Sequence, residues 1–343
     1  MLSRIELSNC KFNGPIPSII TNLTELIYLD LSFNNLTGLI PEFHMSKKLT
    51  HIDLSFNRLS GPLSSVHFEG LSNLEYIGLG SNLLTGNLPS SLFVLPSLQK
   101  LVLNYNQFDG QIEELPNPVS SQLNVLDLSS NNLQGNIPSS LFVLPFLQNL
   151  FLYNNQFDGQ IEEHPNPESS QLNILDLSSN NLQGNLPSSL FLFPSLQNLL
   201  LSNNQFDGQI AEIPNPDSSQ LNMMRESRNL MTLEVSHNNL SMFSSSNGNS
   251  TFSTSLDKLD LSANKLKGEI PTWFWGMING SRYLNLSFNQ LTGFQNPYTT
   301  PSIDTLDLSS NQLRGELPIP PSFSTYLEYS NNNFNALPED IGN

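Results

Sequence analysis

The residue types that could do chemistry are present but not gathered. Five histidines (His44, His51, His67, His164 and His237) and a single cysteine (Cys10) are scattered through 343 residues, and no two are spaced as a metal-ligating pair. No metal and no other cofactor is expected. One thiol cannot close an internal disulfide, so the redox compartment cannot be read from cysteine pairing. Ser, Asp and His recur, yet no G-x-S-x-G elbow, phosphate-binding loop or H-E-x-x-H helix brings them together. The string Gly78-Leu79-Gly80 is a fragment of a dinucleotide fingerprint without its third glycine or its following helix. These patterns predict no enzyme. What remains is surface chemistry suited to recognition, and its meaning depends on the elements that carry it.

Composition narrows the class. A chain that is 38% hydrophobic can bury a substantial core. Thirty acidic against 13 basic side chains give a formal charge of −17, which repels phosphate backbones and anionic membrane surfaces, so no nucleic-acid partner is expected. No run approaches the length of apolar sequence that spans a bilayer, and the opening MLSRIELSNC does not read as a secretion signal. The segment itself is expected to make no membrane contact.

The string L-x-x-L-x-L-x-x-N-x-L/F-x-G recurs along the whole chain. Its ladder position falls at Cys10, Asn34, Asn57, Asn82, Asn106, Asn131, Asn155, Asn180, Asn204, Asn238, Asn264, Asn289, Asn311 and Asn332. Each copy predicts one short strand, such as Tyr28-Leu29-Asp30-Leu31, with leucines inward and the alternate residues outward. The ladder asparagine can donate and accept, and so can satisfy main-chain groups of neighbouring coils that burial would leave unpaired. Cys10 takes that slot in the first copy and reads as inert. A corner of the form L-x-G-x-I/L-P follows, as in Leu133-Gln134-Gly135-Asn136-Ile137-Pro138, where Gly permits a bend and Pro fixes φ. Segments such as Pro89 to Leu98 then suit one short helical turn.

This pattern is identified as the leucine-rich repeat, and the L-x-G-x-I/L-P corner resembles its plant-specific class. The expected fold is an α/β-type solenoid: a curved superhelix with a concave parallel β-sheet and short helical or irregular convex segments. Residues 1–343 are expected to form one solenoid of about 14 coils without N- or C-terminal caps. Residues 88–222 contain tandem near-copies of a 49-residue double coil, each with N-Q-F-D-G-Q-I. Two stretches break the rhythm: Asn215 to Arg228, read as a convex excursion, and SMFSSSNGNSTFSTS after Leu240, read as a mobile loop. Both ends read as an interior slice of a longer array.

Longer strings narrow the likeness. Leu74 to Gln111, Glu269 to Leu286 and Tyr326 to Gly342 are similar to ectodomains of plant receptor-like proteins, including the Verticillium-wilt resistance type of tomato. The resemblance implies a kinase-lacking cell-surface receptor, at the extracellular side of the plasma membrane as part of a full-length protein. It also implies a protein or peptide ligand and a co-receptor or adaptor kinase, with defence signalling as the expected setting. Two alternatives stay open: a secreted inhibitor of microbial cell-wall-degrading enzymes, and a truncated fragment without independent activity.

With the strands placed, recognition residues can be nominated. Tyr28, Phe33, Phe56, Tyr76, Tyr105, Phe151 and Tyr153 put aromatic groups on the strand side of successive coils. A second column holds Glu6, Asp30, Asp53, Asp127, Asp176, Glu234, Asp260 and Asp307, stacked like charges that a basic partner would relieve. Val102, Phe151 and Leu200 interrupt that column and mark apolar positions where a ligand could sit. Trp273 and Trp275 read as cover for the convex core. Sequons stand at Asn22, Asn35, Asn239, Asn249, Asn279 and Asn285, of which Asn285 falls on a strand where a glycan would obstruct binding.

Overall fold

The computed structural model describes residues 2–115, 117–210, 229–243, 256–296, 301–319 and 323–339. Asn215 to Arg228, Asn249 and most of the Ser/Asn/Gly-rich stretch lie outside the described residues. The backbone divides into two compact units, Met1–Gly159 with Ser169–Asn180, and Gln160–Glu168 with Asn181–Asn343.

In the first unit, strands Arg4–Glu6, Tyr28–Asp30, His51–Asp53, Tyr76–Gly78, Lys100–Val102, Val125–Asp127, Asn149–Phe151 and Ile174–Asp176 pair in parallel, in chain order. Their register is one-to-one, so Leu29, Ile52, Ile77, Leu101, Leu126, Leu150 and Leu175 form a single inward row, each at 0% exposure. Burying each such side chain contributes about 1.5–3 kcal/mol, which is what holds so short a strand extended. The second unit repeats the arrangement with Asn198–Leu200, Thr232–Glu234, Lys258–Asp260, Tyr283–Asn285, Thr305–Asp307 and Tyr326–Glu328. The architecture is a leucine-rich-repeat solenoid.

The ladder asparagines stitch coil to coil. Asn131 donates from Nδ2 to the carbonyls of Leu103 (3.1 Å), Leu128 (3.0 Å) and Ser129 (3.1 Å), while its Oδ1 accepts the Phe108 N–H (3.1 Å). The same set of bonds recurs from Asn34 to Asn332. Cys10 is exposed, and its Sγ donates to the Ser8 carbonyl at 3.3 Å.

The corners do more than bend. In the first unit, Asn13–Pro15, Asn35–Gly38, Arg58–Pro62, Leu83–Gly86, Gln107–Gly110, Asn132–Gly135 and Gln156–Phe157 form a second parallel sheet. Gly and Pro disfavour strands, so composition hides these segments; they pair because the repeat holds their backbones in register. Gly135 ends its strand at φ +78, the left-handed turn the sequence reserves for glycine. Helical turns follow the corner prolines at Ser18–Asn22, Ser90–Val94, Ser139–Val143 and Ser188–Leu192. Two of them are capped from the preceding coil. Glu114 accepts the N–H groups of Ser139 (2.8 Å) and Ser140 (3.1 Å), and Glu163 accepts those of Ser188 (2.8 Å) and Ser189 (2.9 Å). Burial pushes both carboxyls up, but these hydrogen bonds together outweigh it and hold them below the ordinary glutamate value.

Among the described residues of the second unit, the α-helix Thr272–Met277 buries Phe274 and Trp275, whose rings meet edge-on at 5.7 Å. Trp273 packs edge-on against Phe243 at 6.2 Å. Among the described residues no helix is long and apolar enough to cross a membrane.

Candidate functional site

Three outward columns of the first unit carry the side chains that could recognise a ligand. The first column holds Arg4, Tyr28, His51, Tyr76 and Lys100, in register on five successive strands. Tyr28 stacks on His51 at 4.2 Å and 8°, and His51 on Tyr76 at 4.3 Å and 10°. The Arg4 guanidinium lies 3.7 Å over the Tyr28 ring and the Lys100 ammonium 5.7 Å from the Tyr76 ring. A cation therefore closes each end of a three-ring pile. Burial lowers the His51 pKa, with Asp53 and Asp30 opposing it, so the imidazole in the pile is held neutral further into the acid range than a free one. Because ring faces are spent on each other, Tyr28 and Tyr76 offer edges and hydroxyls outward, not stacking surfaces.

The second column contains the acids, and the structure gives most of them an internal task. Asp30 Oδ1 accepts both the N–H (2.9 Å) and the hydroxyl (2.7 Å) of Ser32. Asp53 holds Ser55 in the same way, as do Asp127 with Ser129, Asp176 with Ser178 and Asp260 with Ser262. This clip ties down the strand exit and accounts for the recurrence of Asp at that position. In the second unit Glu234 is instead paired with Lys258 at 2.6 Å.

Two adjacent coils lack the clip. Where the coils of Asp30, Asp53, Asp127 and Asp176 have Asp-x-Ser, these read Gly78-Leu79-Gly80 and Val102-Leu103-Asn104. Gly78 leaves space for the Tyr76 hydroxyl, which a Cβ there would meet at 2.7 Å. A Cβ on Gly80 would collide with the Asn104 amide oxygen. Phe151 and Leu200 also interrupt the column and are half-buried, each in a coil without such a glycine.

The third column lies just past the strands, at the residue before each ladder asparagine. The coil-to-coil turn forces positive φ there, a conformation that asparagine tolerates best after glycine. Asn154, Asn203 and Asn331 occupy it, as do Ser81, Ser130, Ser179 and Ser310; yet Phe33, Phe56 and Tyr105 stand there at φ +55, +53 and +51. Each is about half exposed, at 54%, 49% and 54%. Phe33 and Phe56 stack at 4.2 Å and 9°. Tyr153 reaches the side chains of Ser129 and Tyr105, bracing the latter.

These columns converge on a cavity of about 410 Å³ lined by Ser55, Phe56, Tyr76, Gly80, Ser81, Val102, Asn104 and Tyr105. Of the nominated residues, Phe56, Tyr76, Val102 and Tyr105 line it; Tyr28 and Phe33 lie one coil beyond; Phe151, Tyr153 and Leu200 do not line it. Sequence reasoning passed over His51, Lys100, Gly80, Ser81 and Asn104. Aligning the copies on their ladder positions places the first three at offsets where they differ from the consensus, which was the available signal.

Among the described sequons, Asn22, Asn35 and Asn279 are exposed. Asn285 is half-buried, donating to the Tyr283 hydroxyl (3.2 Å) and accepting the Ser287 N–H (2.9 Å). Among the described residues no group of three or more His, Cys, Asp or Glu side chains is placed to hold a metal ion.

Two family models match, one described as leucine rich repeat over residues 47–108 and one as Leucine Rich Repeat over 1–23, 25–45, 122–144, 171–193, 255–277 and 302–326, together more than half of the chain. The chain belongs to the leucine-rich-repeat family. Its curated relatives place it among plant leucine-rich-repeat receptor-like proteins. Receptor-like protein 47 of Arabidopsis thaliana is 46% identical over 44 residues, 13% of this chain and 5% of the relative. Receptor-like protein 35 of the same plant is 38% identical over 96 residues, 27% of this chain and 10% of the relative. Nothing in these matches singles out the Verticillium-wilt resistance type. Among solved structures, a plant peptide hormone receptor, RGFR1 in complex with RGF2, superposes with TM-score 0.78 at 30% identity over 94% of this chain and 54% of that one. The Arabidopsis receptor kinase HAESA, in complex with the peptide hormone IDA and the co-receptor SERK1, superposes with TM-score 0.71 at 29% identity over 95% of this chain and 57% of that one. This leucine-rich-repeat chain thus spans little more than half of those ectodomains and about a tenth or less of those curated relatives.

Proposed function

We propose that this chain is an extracellular ligand-recognition segment of a plant cell-surface receptor-like protein, a binding module and not an enzyme. In this reading it takes a protein or peptide on its strand face, and the whole receptor signals, in defence, through a partner kinase. The observation that carries it is the cavity walled by Phe56 and Tyr105. Both side chains are bulky and held at positive φ; Phe33 stacks on one and Tyr153 reaches the other, yet each keeps about half of its surface open to a ligand. Such a placement is what a binding surface requires. The likeness to the peptide hormone receptor RGFR1 and to HAESA in its complex with the peptide hormone IDA supports a peptide ligand.

The test is direct. Peptides from plant extracellular fluid retained by the purified chain are identified, resynthesised and titrated against it and against three variants. Weakened binding to Phe56→Ala and Tyr105→Ala, with unchanged binding to Val119→Ala, supports the reading; Val119 is 73% exposed in the turn Pro118–Ser120, off the strands. Retention indifferent to both aromatic substitutions refutes it.

A further inference from the structure

The third column specifies what the cavity holds. Its residues are hydrogen-bonded coil to coil: the Phe56 N–H donates to the Gly80 carbonyl (2.8 Å), Ser81 to Asn104 (2.8 Å) and Tyr105 to Ser129 (3.0 Å). Ser81 therefore stands between Phe56 and Tyr105, and its small side chain leaves an aromatic slot one coil wide. Phe33 covers one face of Phe56, so the other face is turned toward that slot. The two aromatic walls are two coil steps apart, about 8–10 Å. Subtracting carbon contact distances of about 3.5–4 Å at each wall leaves roughly 0–3 Å between the outermost atom centres of an occupant. A branched aliphatic side chain has that thickness. A flat ring fits as well, as the His51 ring does between Tyr28 and Tyr76, which are likewise two coil steps apart.

The charges around the slot select the neighbouring residue. On the strand face of the first unit Glu6, Asp30, Asp53, Asp127 and Asp176 face Arg4 and Lys100, and Arg4 is already paired with Glu6. Asp53 lies beside the slot with Oδ1 committed to Ser55, while Oδ2 has only the Tyr76 hydroxyl at 3.5 Å, too long for a strong bond. That oxygen is open to a cation.

Resting on the reading above, we infer that the slot between Phe56 and Tyr105 takes an apolar side chain, branched aliphatic or aromatic, of an extended peptide whose Lys or Arg, one or two residues away, meets Asp53. The probe is a displayed library of random dodecapeptides, selected on the whole chain. Two variants test the slot and one tests the charge. Ser81→Phe fills the slot at a φ of +55 that Phe33 and Phe56 already adopt, so its backbone needs no change. Tyr105→Ala removes a wall, and Asp53→Asn keeps the oxygen that holds Ser55.

The expected result is a consensus pairing an apolar with a basic residue, an affinity loss of about tenfold or more in both slot variants, and a smaller, salt-sensitive loss in Asp53→Asn. Enriched peptides that bind Ser81→Phe and Tyr105→Ala as well as they bind the parent overturn the slot assignment and leave peptide recognition standing. A consensus lacking the basic residue overturns the Asp53 pairing. A library from which nothing is enriched overturns both this inference and the peptide reading beneath it.

Discussion

Replacing Asn131 by alanine tests whether the ladder holds the solenoid together through backbone satisfaction. Asn131 is 7% exposed, so water cannot replace what its amide provides. The losses are unequal. The carbonyl of Leu103 also accepts from Asn106, and that of Leu128 from Asn155, so each loses one of two partners. The Phe108 N–H donates to Asn131 Oδ1 in a buried setting. One orphaned buried N–H costs about 1–3 kcal/mol and each lost secondary bond about 0.5–1 kcal/mol, which sums to roughly 2–5 kcal/mol. At Asn34 the N–H groups served, those of Cys10 and Phe12, are exposed and can turn to water, so Asn34→Ala should cost less than about 1 kcal/mol. Urea unfolding of both variants measures the difference, and amide exchange at Phe108 reports the orphaned group directly. If Asn131→Ala and Asn34→Ala are equally costly, or if Phe108 keeps its protection, backbone satisfaction is not what the ladder supplies.

Other expectations follow from single residues. His164 stands where the preceding copy has Leu115, and its buried Nε2 has no hydrogen-bond partner. Burial lowers its pKa, so below about 6.5 the unfolded chain takes the proton first and stability falls with pH. His164→Leu should raise stability by about 1 kcal/mol at neutral pH and flatten that acid-side decline; a steeper decline in chemical denaturation would contradict it. Glu163→Gln removes a charged cap, with an expected cost of about 0.5–1 kcal/mol near neutrality, allowing for its exposure. Because hydrogen bonds hold that carboxyl below its ordinary value, the difference from the parent should disappear as pH falls through and below 4.5, and a gap that persists there argues against the cap. When the chain is secreted from eukaryotic cells, peptide mapping should find glycan on Asn22 and Asn35 and none on Asn285, whose amide is bonded on both sides. Full occupancy of Asn285 would show that those bonds do not protect it.

Much of the candidate site was written in the repeat, but its meaning was not. Phe56, Tyr76, Val102 and Tyr105 could be nominated because a period of about two dozen residues maps sequence offset onto surface column. The acid column recurs for the same reason. Its sequence carries two readings, repeat consensus and a surface for a basic partner, and the short bonds from Asp to the serine two residues on show that most of the recurrence maintains the strand exit. The Gly78-Leu79-Gly80 string was legible as a departure from consensus, whereas its consequence, room for the Tyr76 hydroxyl and the Asn104 amide, needed coordinates.

By itself the sequence determined the solenoid, its parallel strands, its inward leucines and its asparagine ladder, because each follows from alternation and spacing within one coil. The tertiary structure decided what passes between coils: the second sheet at the corners, the caps that Glu114 and Glu163 extend to the next helical turn, the pile from Arg4 to Lys100, and the slot at Ser81. These depend on side chains more than twenty residues apart along the chain but one coil step apart in space, where a neighbour's size sets whether a ring is covered, stacked or left facing a gap.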